Sequence, residues 1–276
     1  LAKVRDLDRI LTKGIRPTAV PRDLGLLRDS LAALPDVCAS LGGSSEEDGA
    51  LLGNDLPAAL SMPTPLPELS QLLQDALIDD PPVIARGSRG AGETGYIREG
   101  YRSDLDSLRE SATKGREWIA GLEAEERKRT GISTLKVKFH PVHGYALEVS
   151  KTQLAKVPED YERKQTLANV ERFTTSALSE MQGKVMGANE RAAALEREIF
   201  ENVRLEVVES ASAIRSAASA VATADALAAL AEVARREAWV RPEVHDGETI
   251  EVSAGRHPVV EALLNTAHGE GFVPND

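Results

Sequence analysis

Residues 133–151, STLKVKFHPVHGYALEVSK, alternate in steps of two. Leu135, Val137 and Phe139 interleave with Lys136, Lys138 and His140, and then Tyr145, Leu147 and Val149 interleave with Ala146 and Glu148. Such a pattern belongs to two half-buried strands joined by a turn, here over residues 140–144. It predicts a β-hairpin with Lys136, Lys138 and His140 on one side of a strand.

On either side of the hairpin the period changes. Tyr101, Leu105, Leu108, Ala112, Gly115, Ile119 and Leu122 step by four and three, as do Leu178, Met181, Val185, Ala188, Ala192, Leu195 and Ile199. Each set is the apolar seam of a long helix packed along another. The seams predict helices over 101–130 and 174–209, the first about 45 Å long at ~1.5 Å per residue. Packed antiparallel, they form a stalk that carries residues 123–175 at its far end. A single helical bundle with an incidental hairpin satisfies the same periodicity.

Further helices are predicted over 1–14, over 21–34 (opened by Pro21 and Asp23) and over 67–78. Residues 42–67, rich in Gly, Ser and Pro, read mainly as loop, and 81–97 as extended or looped. Another helix is expected from 210 to about 239. Beyond a boundary near 241–244, Ile250 and Val252 alternate with polar residues.

The chain has 276 residues, room for roughly two domains. Leu1 opens inside a helical pattern and GFVPND carries no stop, so it reads as a piece of a longer protein. Hydrophobic residues are 42% and aromatics only 4%, so the core must be aliphatic and alanine-rich. Cys38 is the one cysteine; it excludes an internal disulfide and a cysteine-based zinc cluster, and fits a reducing compartment. The most apolar stretch, 217–234, contains Asp225 and Glu232 and reads as a buried helix too polar for a bilayer.

A net charge of −11 argues against nucleic-acid binding until its distribution is considered. From Arg127 to Arg172, ten Lys/Arg stand against five Asp/Glu, a net +5 that leaves −16 on the rest. This basic segment holds the hairpin. Lys136, Lys138, Lys151, Arg163, Lys164, Gln165, Asn169 and Arg172 are cations and amides of the kind that contact phosphates without reading sequence. A solvated charged surface has the same composition. GSRGAGET, residues 87–94, spaces Gly87 and Gly92 as in a phosphate loop, but Glu93 stands where the lysine is needed. His140 and His143 lack a neighbour that would complete a metal site, His257 reads as structural, and no nucleophile–base or paired-acid pattern is found. No enzymatic activity is expected of this chain.

ERKRTGISTLKVKFHPVHGYALEVSK and VPEDYERKQTLANVERFTTSALSEMQGKV, together with VRDLDRIL, PRDLGLLRDSLAALP, WVRPEV and GRHPVVE, strongly resemble the MutS family of DNA mismatch-repair proteins. The resemblance runs in order along essentially the whole chain. It implies a mainly α fold: a helical core with two long antiparallel lever helices carrying a small β-rich clamp at the tip. Residues 1–122 would be core and first lever, 123–175 the clamp, 176–243 second lever and core, and 244–276 the start of a truncated ATPase domain. The clamp would hold duplex DNA through its backbone, using Lys136, Lys138, Lys151, Arg163, Lys164, Asn169 and Arg172. Phe272 and Val273 would be remnants of a nucleotide pocket.

The resemblance also implies ATP and Mg for the full-length protein but no cofactor here. MutL and a second MutS subunit would be partners, in a bacterial, cytoplasmic, nucleoid-associated setting with no membrane role. Four departures stand out. The family's Phe-x-Glu mismatch reader is absent, since Pro141, Thr175, Asn202 and Pro274 follow the four phenylalanines by two. The Walker A loop would come just after FVPND. Ala168 replaces the usual Lys before Asn169, and Ala146 replaces the second aromatic of the GYA stretch. The alternative reading is a coiled-coil stalk with a protein-binding tip and no DNA role.

Overall fold

Helix α1 (Leu7–Gly14) starts where the Asp6 carboxylate accepts a hydrogen bond from the backbone N–H of Arg9 at 3.0 Å. It is thus shorter than the helix expected from residue 1. The chain is described from a computed structural model over residues 3–42, 62–83, 95–140, 143–267 and 272–275. The loop expected over 42–67 lies mostly outside these residues, and the glycine-rich stretch 87–94 lies wholly outside them.

Helix α2 (Pro21–Ala32) carries Pro at its first position, where no N–H is needed. A separate helix that the sequence reading did not anticipate, α3 (Leu34–Gly42), follows it. α4 (Pro67–Ala76) again opens on proline. α5 (Ser103–Thr130) and α6 (Ser176–Glu209) are the two long helices, and α7 (Ala211–Arg236) follows α6 after Ser210. The chain divides into two compact units, residues 1–228 and 229–276.

In the first unit α5 and α6 run antiparallel along the two seams. Leu105 of α5 shares a core with Ile199 and Phe200 of α6, and Ile119 and Leu122 share another with Leu178 and Val185. Between these, the buried residues of the two helices are the small Ala112, Gly115 and Ala188, together with Glu196 beside the first core. A Cβ on Gly115 would run into the Cγ2 of Val185, so this glycine lets the two helices approach. The first core is built from α1, α2, the start of α3, α4 with Leu77, residues 96–97, the start of α5, the second half of α6 and the start of α7. It is aliphatic, with Tyr96 edge-on to Phe200 at 5.6 Å.

Three buried or half-buried charges tie this core together. Arg28, 7% exposed, donates to the carbonyls of Ile78 and Asp79, both at 2.6 Å. Arg204 donates to the Ile15 carbonyl at 2.6 Å. Glu196 of α6 accepts from the backbone N–H groups of Tyr96 (2.7 Å) and Ile97 (3.0 Å) and from Arg109 of α5 (2.7 Å). Each buried charge is hydrogen-bonded to at least two partners, which is the condition for tolerating it inside. Burial, with Glu196 nearby, also pushes the Tyr96 hydroxyl above the usual phenol range.

Four antiparallel strands fill the chain between α5 and α6. They are β1 (Lys136–His140), β2 (Gly144–Ser150), β3 (Glu162–Thr166) and β4 (Val170–Thr174), in the order β1-β2-β4-β3. The expected hairpin is β1–β2, apart from residues 141–142 of its turn, which lie outside the described residues. Gly144 sits at φ +72°, the left-handed region that suits glycine. The second hairpin, β3–β4, was not anticipated as strands. Together these elements give the mainly α fold with a small β-rich region that the sequence implied.

Along α7, Ala211, Ile214, Ala217, Ala220 and Ala224 form one buried stripe. By length and composition alone this helix could cross a bilayer, with a mean hydropathy of 1.4 over its most apolar window. The judgement that residues 217–234 are too polar for that is therefore corrected: two charges in an alanine-rich stretch do not lower the average enough. Of the second unit, α8 (Pro258–Ala267) follows Arg256, which pairs with Glu261 at 3.0 Å and donates to the carbonyls of Glu237 and Ala238.

Candidate nucleic-acid interface

The α5 helix ends at Gly131, whose φ of +68° turns the chain out of the helix while its N–H still bonds to the Arg127 carbonyl. α6 begins directly after β4, with the buried Thr175 hydroxyl accepting from the Leu178 N–H at 3.1 Å. Both helix ends are therefore stitched to the sheet. Ile119, Leu122, Leu178 and Val185 pack with Ile132, Leu135, Leu147, Val149, Tyr161 and Phe173 into a second core. At about 1.5–3 kcal/mol per buried aliphatic or aromatic side chain, this core is what holds a four-stranded sheet on two helix tips.

Strand register assigns the faces. Val137 pairs with Leu147, which pairs with Phe173, and this face covers the core. The next residues along the strands make a rung across all four strands on the opposite face: Lys136 opposite Glu148, Glu148 opposite Arg172, Arg172 opposite Gln165. Glu148 is the hub, with only 8% of its side chain exposed. Lys138 Nζ lies 2.7 Å away, Arg172 Nε 3.0 Å and His140 Nε2 3.3 Å. Arg172 Nη1 also donates to Gln165 Oε1 at 2.7 Å.

Burial works against the Glu148 charge, but the bonds from Lys138 and Arg172 outweigh it and hold the carboxyl below the usual range. A carboxyl depressed in the fold stabilises it above the ordinary glutamate value of 4.5, and that contribution is lost as pH falls through the lower folded value. The stability difference between the parent and Glu148→Gln is therefore expected to be full near pH 7 and to vanish in acid. Urea melts of the pair at pH 7 and near pH 3 check this, and a gap that persists unchanged in acid would refute it.

The ten basic residues of 127–172 divide cleanly. Arg127 pairs with Glu123, Arg129 with Glu126 and Asp160, Lys138 and Arg172 with Glu148, and Arg163 with Glu171. Lys128, Lys136, Lys151, Lys156 and Lys164 are exposed and have no ion-pair partner among the described residues. Every arginine in the segment thus serves the fold, and all the unpaired cations are lysines. Lysine is the compact, flexible point charge that suits a phosphate without demanding a fixed geometry.

The sequence-derived site residues accordingly fall into three groups. Lys136, Lys138 and Arg172 share the outward face. Lys151 and Asn169 meet at one end of the sheet, where the Lys151 N–H bonds to the Asn169 carbonyl at 3.2 Å, and Lys164 sits exposed at the β3 irregularity. Arg163 lies apart: it is opposite Phe173, on the core-facing side, with its guanidinium over that ring at 5.9 Å. Sequence reading missed the hub, because Glu148 reads as one polar residue in an alternating strand and its partners lie up to 24 residues away.

Phe272 and Val273 belong to the second unit, beside Asn275, which bridges to Gly255 with paired backbone hydrogen bonds of 2.6 and 3.0 Å. Phe272 is half-buried and Val273 is 83% exposed. Among the described residues no group of three or more His, Cys, Asp or Glu could hold a metal ion.

Residues 100–191, which include the whole sheet, match MutS family domain IV. All 276 residues align with the DNA mismatch repair protein MutS of Acetivibrio thermocellus at 40% identity. Those of Anaeromyxobacter dehalogenans and Methanosarcina barkeri align at 44% and 40%. The chain spans about 30% of the length of these curated relatives. With its characteristic helix–sheet–helix segment matched to domain IV and its full length aligned to such relatives, the chain belongs to the MutS family.

Proposed function

We propose that residues 123–175 are a clamp that holds duplex DNA through its phosphate backbone, and that α5 and α6 are the levers that carry it. The observation that supports this best is a set of five exposed lysines with no ion-pair partner among the described residues, Lys136 and Lys164 on the sheet and Lys128, Lys151 and Lys156 on the helical segments that flank its strands, at the tips of two paired helices. The site residues assigned to DNA are Lys136, Lys151, Lys164 and Asn169, with Lys138 and Arg172 on the same face as Lys136. Residues 1–122 and 176–243 then form core and levers, and 244–276 lead into an ATPase domain. In the complete protein, ATP and Mg would act in that domain, and MutL and a second MutS subunit would be partners. Long paired helices can couple the two ends of such a protein when one of them has two discrete arrangements.

The experiment is fluorescence anisotropy of a labelled duplex, matched and mismatched, titrated with the 276-residue chain at several salt concentrations. Weak binding that ignores the mismatch, with a log–log salt slope of ~0.9 per phosphate contact, is the expected result. Absence of binding at low salt would overturn the reading. One observation favours a protein-binding tip instead: Phe139 is 50% exposed on β1, the edge strand, beside Tyr145 at 5.1 Å. A tip that captures protein and ignores duplex would decide for it.

A further inference from the structure

We propose that Glu148 is a built-in competitor of the DNA phosphate, and that Lys138 is a two-position cation that moves between them. The inference rests on the clamp reading and adds a regulated contact to it. Lys138 holds Glu148 at 2.7 Å yet keeps 51% of its side chain exposed, on a flexible four-carbon stem. Arg172, by contrast, has 17% of its side chain exposed and is fixed at both ends, by Glu148 and by Gln165. Of the two cations on the hub, only Lys138 is free to swing outward.

The hub is arranged to survive that swing. When Lys138 leaves, Glu148 retains the Arg172 bond, and His140 Nε2 stands 3.3 Å away with no hydrogen-bond partner of its own. A buried carboxylate stripped of its only cation would be costly; one that keeps a guanidinium is not. A charge-assisted bond to a phosphate at ~2.7–2.9 Å would then replace an equivalent bond to a carboxylate. The exchange leaves little net gain, so this contact adds positioning while keeping the grip weak.

The test is a double-mutant cycle on duplex binding, with Glu148→Gln, Lys138→Met and the pair, read by anisotropy at several salt concentrations. E148Q is expected to bind several-fold to about tenfold tighter, with the salt slope close to the parent's, because Lys138 reaches the phosphate in both forms and only its competitor is removed. That gain is expected to disappear in the E148Q/K138M pair. A gain that survives in the pair would mean that only removal of a negative charge matters, and the switch falls. Binding by E148Q equal to the parent's, while Lys136→Glu still weakens the parent, would overturn the switch and leave the clamp standing. If no form binds duplex, both fall together. Should E148Q fail to fold, K138M alone decides, since its side chain is half exposed: an unchanged slope refutes the exchange, and a loss approaching 0.9 supports it.

Discussion

Reversing Lys136 and Lys164 together, Lys136→Glu with Lys164→Glu, is expected to weaken duplex binding by roughly 10–100-fold at low salt and to flatten the log–log salt slope by about 1.8. Both side chains are exposed and have no ion-pair partner among the described residues, so the fold loses nothing by their removal. Surface changes of this kind usually cost under ~0.5 kcal/mol of stability. Lys13→Glu, on an exposed position of α1, controls for total charge. If Lys13→Glu weakens binding as much per charge as the pair does, DNA responds to net charge alone and the sheet face has no special role.

The largest stability effect is expected at Glu196. Glu196→Ala removes one carboxylate and strands three donors: the N–H groups of Tyr96 and Ile97 and the Arg109 guanidinium. Breaking such a buried arrangement from one side costs about 3–5 kcal/mol, because the remaining partners stay desolvated and unmatched. Glu196→Gln keeps an acceptor for the amides and should cost distinctly less. Chemical denaturation followed by circular dichroism measures both. A Glu196→Ala loss below about 1 kcal/mol would show that water replaces the carboxylate and that the latch is dispensable. Gly95 fits the same site: a Cβ there would collide with the Glu196 carboxylate and with Arg109.

The long helices were legible because their burial repeats along one seam. Leu105, Ala112, Gly115, Ile119 and Leu122 are buried as their spacing requires, and so are Leu178, Val185, Ala188 and Ile199. Half of the sheet was legible for the same reason. β3 was not, because ERKQT offers no apolar residue to alternate: Arg163 covers Phe173 with a guanidinium where a strand would ordinarily place an aliphatic side chain. α3 escaped notice because Pro35 and the Ala-Ser-Leu-Gly end look like loop, although a proline in the first turn suits a helix.

For the candidate site, residue types could be read from the sequence and their availability could not. Arg127 and Arg129 look as free as Lys128 in the run ERKRT. Only the fold shows Arg127 bonded to the Leu135 carbonyl at 2.7 Å and Arg129 stacked over Tyr161 and paired with Asp160. Which cations are spent on the sheet depends on register, and register is a long-range property. Lys136, Glu148, Arg172 and Gln165 are scattered over 37 positions of sequence yet form one rung.

The two hydrophobic cores of the first unit share no side chain among the described residues, and apart from the Glu196 latch the residues of α5 and α6 buried between them are Ala112, Gly115 and Ala188. A helix pair joined by alanine and glycine buries little surface per turn, so cooperativity passes poorly from one core to the other. Denaturation of this chain is then the sum of two melting domains, and a two-state fit would return too shallow a slope and too small a free energy. Glu196→Ala acts on one of those transitions and Glu148→Gln on the other. Amide exchange rates, resolved by segment, separate them where a single melting temperature would blend them.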